Sequence, residues 1–140
     1  MCSGAGEGPV TEIELAVRST DLDADQVVNN AVFFMYFEQA RLAHLRRLGI
    51  DWSPRAFAVA ATEARFLAPV SYPETLRVRA WTRQVGNSSF SLAFEAVRAS
   101  DGARVAEGSS VQVWLDGNGQ PCPLPDAVRR ALESSLGRDP

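Results

Sequence analysis

The sequence contains no lysine: all 14 of its basic residues are arginine. It has one histidine, His44, and two cysteines, Cys2 and Cys122, near opposite ends of the chain. Each scarcity excludes something. Two isolated cysteines with no C-x-x-C pair, plus one histidine, do not make a zinc site. The cysteines therefore read as structural or incidental. The formal net charge is -3, so the basic footprint of a nucleic-acid binder is missing. No apolar run approaches the length that crosses a bilayer. The opening "MCSGAGEGPV" has neither the basic start nor the apolar stretch of a secretory signal. These absences predict a cytoplasmic protein with no nucleic-acid partner, no membrane partner and no metal. An anionic small molecule stays open, because clustered arginines suit planar, bidentate phosphate binding better than lysines do.

A chain of 140 residues with 46% apolar content predicts one globular domain with a modest core. Residues 1–9 are mostly small and predict a flexible, disordered N-terminus, with a single domain over 10–136. Residues 10–18 alternate, with Thr11, Ile13, Leu15 and Val17 on one face, which predicts a strand. Over residues 30–48, Val32, Phe33, Tyr36, Phe37, Ala40, Leu45 and Leu48 recur at helical steps. The pattern is apolar almost all round through Phe37, which predicts a wrapped helix. Gly49 is its natural stop.

Four strands are predicted over 58–67, 75–85, 88–99 and 104–115, separated by "APVSYPE", "VGNSS" and "SDGAR". Leu76, Val78 and Ala80 face inward, against Arg77 and Arg79 outward. Short connections without helices imply antiparallel pairing. A last helix is predicted over 125–136. The fold class is therefore α+β: a five-stranded antiparallel sheet wrapped around a long central helix, with a short C-terminal helix. Two bare edges would remain, and a dimer joined edge to edge would cover one.

The stretch "DLDADQVVNNAVFFMYFEQAR" carries the chemistry. Asp21, Asp23 and Asp25 stand just before the start of the most apolar helix. A helix start offers free N–H groups and a positive dipole end. A reacting carbonyl aimed at the Asn30 N–H would find an oxyanion donor. A carboxylate on its other side could deprotonate water or attack directly. Spacing alone leaves this beside a plainer reading, in which all three acids simply favour the dipole. Asn29 reads first as an N-cap and second as a group that positions water or a carbonyl. Glu38 reads as a partner of Arg41, and His44 as structural or surface. Glu63 is not placed by the sequence. "GNSS" is not a G-x-S-x-G nucleophile motif.

This stretch, with "EARFLAPVSYPETLRVR" and "VGNSSFSLAFEA", resembles the hotdog-fold thioesterases, in the branch similar to 4-hydroxybenzoyl-CoA and acyl-CoA thioesterases. The resemblance covers roughly residues 12–132. It implies hydrolysis of a fatty or aromatic acyl thioester, with Asp23 as general base or nucleophile. It makes Asp21 structural and Asp25 solvated. Asn29 and Asn30 complete the implied catalytic set, Asn30 through its backbone N–H.

For substrate binding it implies Val28 and Phe33 at the acyl group, with Phe34, Phe37 and Phe66 as further linings. Arg83, Gly86, Ser88 and Ser89 would lie at the phosphates of coenzyme A, against the plainer reading of an outward strand face and an ordinary turn. Coenzyme A enters as part of the substrate, and no separate cofactor is implied. The implied assembly is a homodimer or homotetramer. The carrier could instead be an acyl-carrier protein, or the chain could be a noncatalytic acyl-CoA-binding dimer. Two departures bear on this: Gln26 and Val27 stand where members usually have Gly and many have His. A related dehydratase fits less well, because the loop lacks a His-plus-acid pattern.

Overall fold

The computed structural model describes residues 8–137. The expected disorder over 1–9 falls outside the described residues, apart from Gly8 and Pro9. In chain order the elements are β1 (Thr11–Ala16), α1 (Asn30–Arg47), β2 (Phe57–Phe66), β3 (Thr75–Val85), β4 (Ser89–Arg98), β5 (Arg104–Trp114) and α2 (Asp126–Ser134). They match the predicted elements to within one or two residues at most ends. The alternation that predicted β3 is visible in its burial, since Leu76, Val78 and Ala80 are wholly buried and Arg77 is exposed.

The sheet is antiparallel throughout, in the order β1-β3-β4-β5-β2. The strand order is set by the tertiary structure. β2 and β3 are successive but do not pair; β2 lies beyond β5 at the far edge. The connection over residues 67–74 is long enough to carry the chain back to the β1 side, and it buries Val70 on the way. That crossing matters below, because the Val70 carbonyl accepts from the Val28 N–H at 2.8 Å.

α1 lies on the inner face of the sheet. Phe37 stacks on Phe94 with ring centroids 5.1 Å apart. Each such ring contributes roughly 1.5–3 kcal/mol through burial. Gly108 makes the approach possible: a Cβ there would stand 2.9 Å from Phe37 Cε2 and 2.7 Å from the Glu63 carbonyl. Gly49 stops the helix at φ +73°, a left-handed conformation that glycine adopts without steric cost. Five strands cover only one side of α1, so the wrapping is partial and Met35 stays 53% exposed. On the β2 edge, Val59 and Phe66 are about equally exposed.

Candidate active site

The segment between β1 and α1 is built on Asp21. A single 3-10 turn over Ser19–Asp21 brings its carboxylate under the chain, where it is 2% exposed. The Arg18 N–H and the Tyr36 hydroxyl both donate to Asp21 Oδ2, at 2.9 and 2.6 Å. Arg18 Nη2 donates to Oδ1 at 2.9 Å. Burial pushes the Asp21 pKa up, but the hydroxyl, the amide and the guanidinium together hold it below the usual carboxylate value. Burial and the Asp21 carboxylate in turn raise the pKa of the Tyr36 phenol. Asp21 is thus a buried, fully paired anion with no surface to offer a substrate.

From this anchor the chain makes a small hairpin. Leu22 bridges Val28, the Asp23 N–H donates to the Val27 carbonyl at 2.8 Å, and the Asn29 N–H donates to the Asp21 carbonyl at 2.9 Å. The Val28–Val70 bond fixes the returning arm to the β2–β3 connection. At the tip, Gln26 donates its N–H to the Asp23 carbonyl and sits at φ +66°. This is the position where members of the resembling family usually have glycine; here Gln26 itself adopts the left-handed conformation.

Asp23 and the start of α1 therefore share one tethered loop. Asp23 is half-buried, and its Oδ1 accepts from the Asp25 N–H at 2.8 Å. Among the described residues nothing donates to its second carboxylate oxygen. Asp25 itself is exposed. Asn29 is the N-cap: its Oδ1 accepts from the Ala31 N–H at 2.9 Å. Asn30 is the first helical residue, and among the described residues its N–H has no acceptor, as expected at a helix start. A half-buried carboxylate and an open N–H at the positive end of a helix can polarise a carbonyl from two sides.

The other residues sort clearly. Val28 and Phe33 are buried. Phe33 and Phe34 meet Phe66 at 5.7 and 6.5 Å between centroids, forming an aromatic cluster between α1 and the end of β2. Phe37 does not join it, because the stack on Phe94 takes it into the core. Glu38 is exposed and acts on Arg41 through its charge, while burial lowers the Arg41 pKa. Glu63 faces away from α1, on the outer sheet surface, where Ser109 Oγ donates to it at 3.4 Å. It lines a groove of about 450 Å³ there.

His44 is fully buried. Its Nδ1 lies 2.7 Å from Thr11 Oγ1, and its Nε2 lies 3.1 Å from Thr82 Oγ1 and 3.4 Å from Ser135 Oγ. The sequence offered no serine partner for it, because Ser135 stands at the end of α2. The pair is sealed from solvent and lies about 21 Å along α1 from Asn30, so it serves the core.

Arg83, Gly86, Ser88 and Ser89 lie at the β3–β4 hairpin. Because β1 runs antiparallel to β3, with Ala16 opposite Thr75, the acidic loop leaves at one end of β3 and the hairpin closes the other. β3 has 11 residues, a span of about 33 Å. One chain therefore does not bring the two halves of the expected site together. Arg79 and Arg77, predicted outward on the same strand as Arg83, are engaged by carboxylates: Arg79 by Glu12 and Glu95 at 2.8 and 3.0 Å, Arg77 by Glu14 at 3.8 Å. Three contributors were not legible as such: Tyr36, the Val70 carbonyl, and Arg129 at the hairpin. No local pattern marks them, since each acts on a residue far away in sequence.

Comparison with known proteins converges on one family. Residues 17–132 match the thioesterase-like superfamily. Two chloroplastic acyl-acyl carrier protein thioesterases of Arabidopsis thaliana are similar. One is 29% identical over 97% of this chain and 74% of its own length; the other is 33% identical over 89% and 69%. A crystal structure of a thioesterase from Thermus thermophilus, complexed with coenzyme A and Zn, superposes with a TM-score of 0.83. It is 36% identical and aligns over 94% of this chain and 97% of the other.

Proposed function

The chain belongs to the thioesterase-like superfamily, a hotdog-fold hydrolase of acyl thioesters, and we propose that its substrate is an acyl-CoA with a fatty or aromatic acyl group. The observation that carries this is the tethered segment, in which the half-buried Asp23 carboxylate sits in the hairpin that leads into α1 and the open Asn30 N–H starts that helix. In the proposed reaction Asp23 takes a proton from water as a C–O bond forms at the thioester carbon. The carbonyl electrons move onto the oxygen, which the Asn30 N–H holds. Collapse breaks the C–S bond, and the carrier leaves as its thiol once protonated. Direct attack by Asp23 is the variant of this step. A single turnover in labelled water detects direct attack where water opens the mixed anhydride at the Asp23 carboxyl carbon, which leaves one label on the enzyme carboxylate. Asn29 shapes the helix start through its cap. Val28 and Phe33 line the acyl end beside Phe34 and Phe66.

The phosphates of the carrier are assigned to the hairpin of Gly86, Ser88 and Ser89, with Arg83 beside it. Its distance from Asp23 along β3 supports a dimer in which the acidic loop of one protomer works with the hairpin of its partner. The β2 edge, unpaired among the described residues and with exposed Val59 and Phe66, is the surface proposed for that pairing. A second reading, an acyl-carrier-protein substrate, is favoured by the two Arabidopsis relatives of that description. Thiol release from a panel of acyl-CoAs, short to long and aromatic, run beside the same acyl groups on a carrier protein, tests the choice. Turnover of the CoA esters supports the proposal; turnover only on the protein carrier replaces it.

A further inference from the structure

The hairpin after β3 has an unusual distribution of hydrogen bonds. Each of its four carbonyls from Gly86 to Ser89 is occupied on the protein side. Arg129 Nη2 donates to the Gly86 and Asn87 carbonyls at 2.9 and 3.0 Å. The Leu124 N–H donates to the Asn87 carbonyl at 2.9 Å, the Trp114 N–H to the Ser88 carbonyl at 2.7 Å, and the Gly86 N–H to the Ser89 carbonyl at 2.7 Å. By contrast, the N–H groups of Asn87 and Ser88 have no acceptor among the described residues. Pulling the carbonyls inward turns consecutive amides outward, which is how a backbone makes a concavity for an anion. A glycine at 86 also keeps the turn tight, since a Cβ there would meet Ser89 Oγ at 3.2 Å.

Arg129 is the only side chain in this set, and it comes from α2, more than forty residues along the chain. It is half-buried and spends its donors on carbonyls. The α2 end is itself pinned: the Thr82 N–H donates to the Ser135 carbonyl at 3.3 Å, and the Gly137 N–H to the Thr82 carbonyl at 3.0 Å. The geometry points to Arg129 as a positioning residue, which holds the Gly86–Ser89 turn with its amides facing out to receive phosphate oxygens of the thioester carrier. This rests on the assignment of the carrier phosphates to the hairpin made above. The guanidinium does not touch the phosphate: it fixes the carbonyls that would otherwise repel it.

The test is steady-state kinetics on three esters of one acyl group: acyl-CoA, acyl-4′-phosphopantetheine and acyl-pantetheine. Wild-type enzyme should favour the phosphate-bearing esters through KM. Arg129→Gln should raise KM for acyl-CoA about tenfold while kcat/KM for acyl-pantetheine stays within about twofold. Arg129→Lys, which restores one donor, should fall between. Sensitivity of acyl-phosphopantetheine would locate the bound phosphate next to the pantetheine, as in either carrier; sensitivity of acyl-CoA alone would locate it on the nucleotide. A wild type that does not distinguish the three esters overturns the phosphate assignment, and this inference with it. A wild-type preference that survives in Arg129→Gln overturns the role of Arg129 alone, as does an equal loss of kcat on all three.

Discussion

Tyr36 and Asp21 are joined by a 2.6 Å hydrogen bond across fifteen residues of sequence. The bond ties the second turn of α1 to the anchor of the acidic loop. Removing the hydroxyl leaves a buried carboxylate short of a donor, which costs about 1–3 kcal/mol. Tyr36→Phe should lower the denaturation midpoint accordingly, and kcat should fall although the hydroxyl touches no substrate. The acid limb should respond too. Asp21 has its folded pKa below the ordinary value of about 3.9. Its contribution is therefore full above that value and lost as pH falls through the folded pKa. In Tyr36→Phe that loss should begin at higher pH, read by acid titration of the circular dichroism signal.

Asp23→Asn keeps the loop hydrogen bonds, because the amide oxygen can still accept from the Asp25 N–H. Activity should fall by at least about 100-fold, the usual worth of a positioned base, with the thermal midpoint little changed. Asp25→Asn should lose less than about threefold, since its side chain is exposed and its N–H remains. Equal losses in both variants would show that the wrong carboxylate had been chosen.

Gln26 holds φ +66° without being glycine. That conformation costs an ordinary residue about 1–2 kcal/mol, while glycine costs about 0.5–1 kcal/mol in chain entropy. Gln26→Gly should therefore stabilise the protein by up to about 1 kcal/mol. Gln26→Val, with a branched Cβ, should destabilise by more than about 1 kcal/mol. Equilibrium unfolding of the two variants, which should lie on opposite sides of wild type, checks the strain. A change in acyl preference in Gln26→Gly would show that the side chain also narrows the site.

Burial, reinforced by the Arg47 guanidinium, pushes the His44 pKa down from its ordinary value of 6.5 to about 4. The unfolded chain thus binds a proton that the folded one refuses. Stability from this group is full above about pH 6.5 and lost as pH falls towards 4, roughly 3 kcal/mol in all. His44→Gln, which can still bond Thr11 and Thr82, should lose that slope between pH 6.5 and 4 while keeping its fold. Urea unfolding at a series of pH values reads it directly.

The sequence by itself determined the elements and the chemistry that each carries locally. Leu76, Val78 and Ala80 announce β3 by alternation, Asn29 announces a helix start by its type, and Gly49 announces its end. These signals act over a few residues, where backbone sterics and side-chain periodicity suffice. The neighbourhood of Asp23 and Asn30 was legible for the same reason, as both sit in one short stretch. Chain folding in three dimensions decided the rest. It sent β2 past β5, buried Asp21 beneath Tyr36, set Ser135 against His44 and placed Arg129 behind the Gly86 turn. It also put the acidic loop and the β3–β4 hairpin at opposite ends of β3. Each of these depends on contacts between residues distant in sequence, whose pairing only the assembled sheet and the packed helices select.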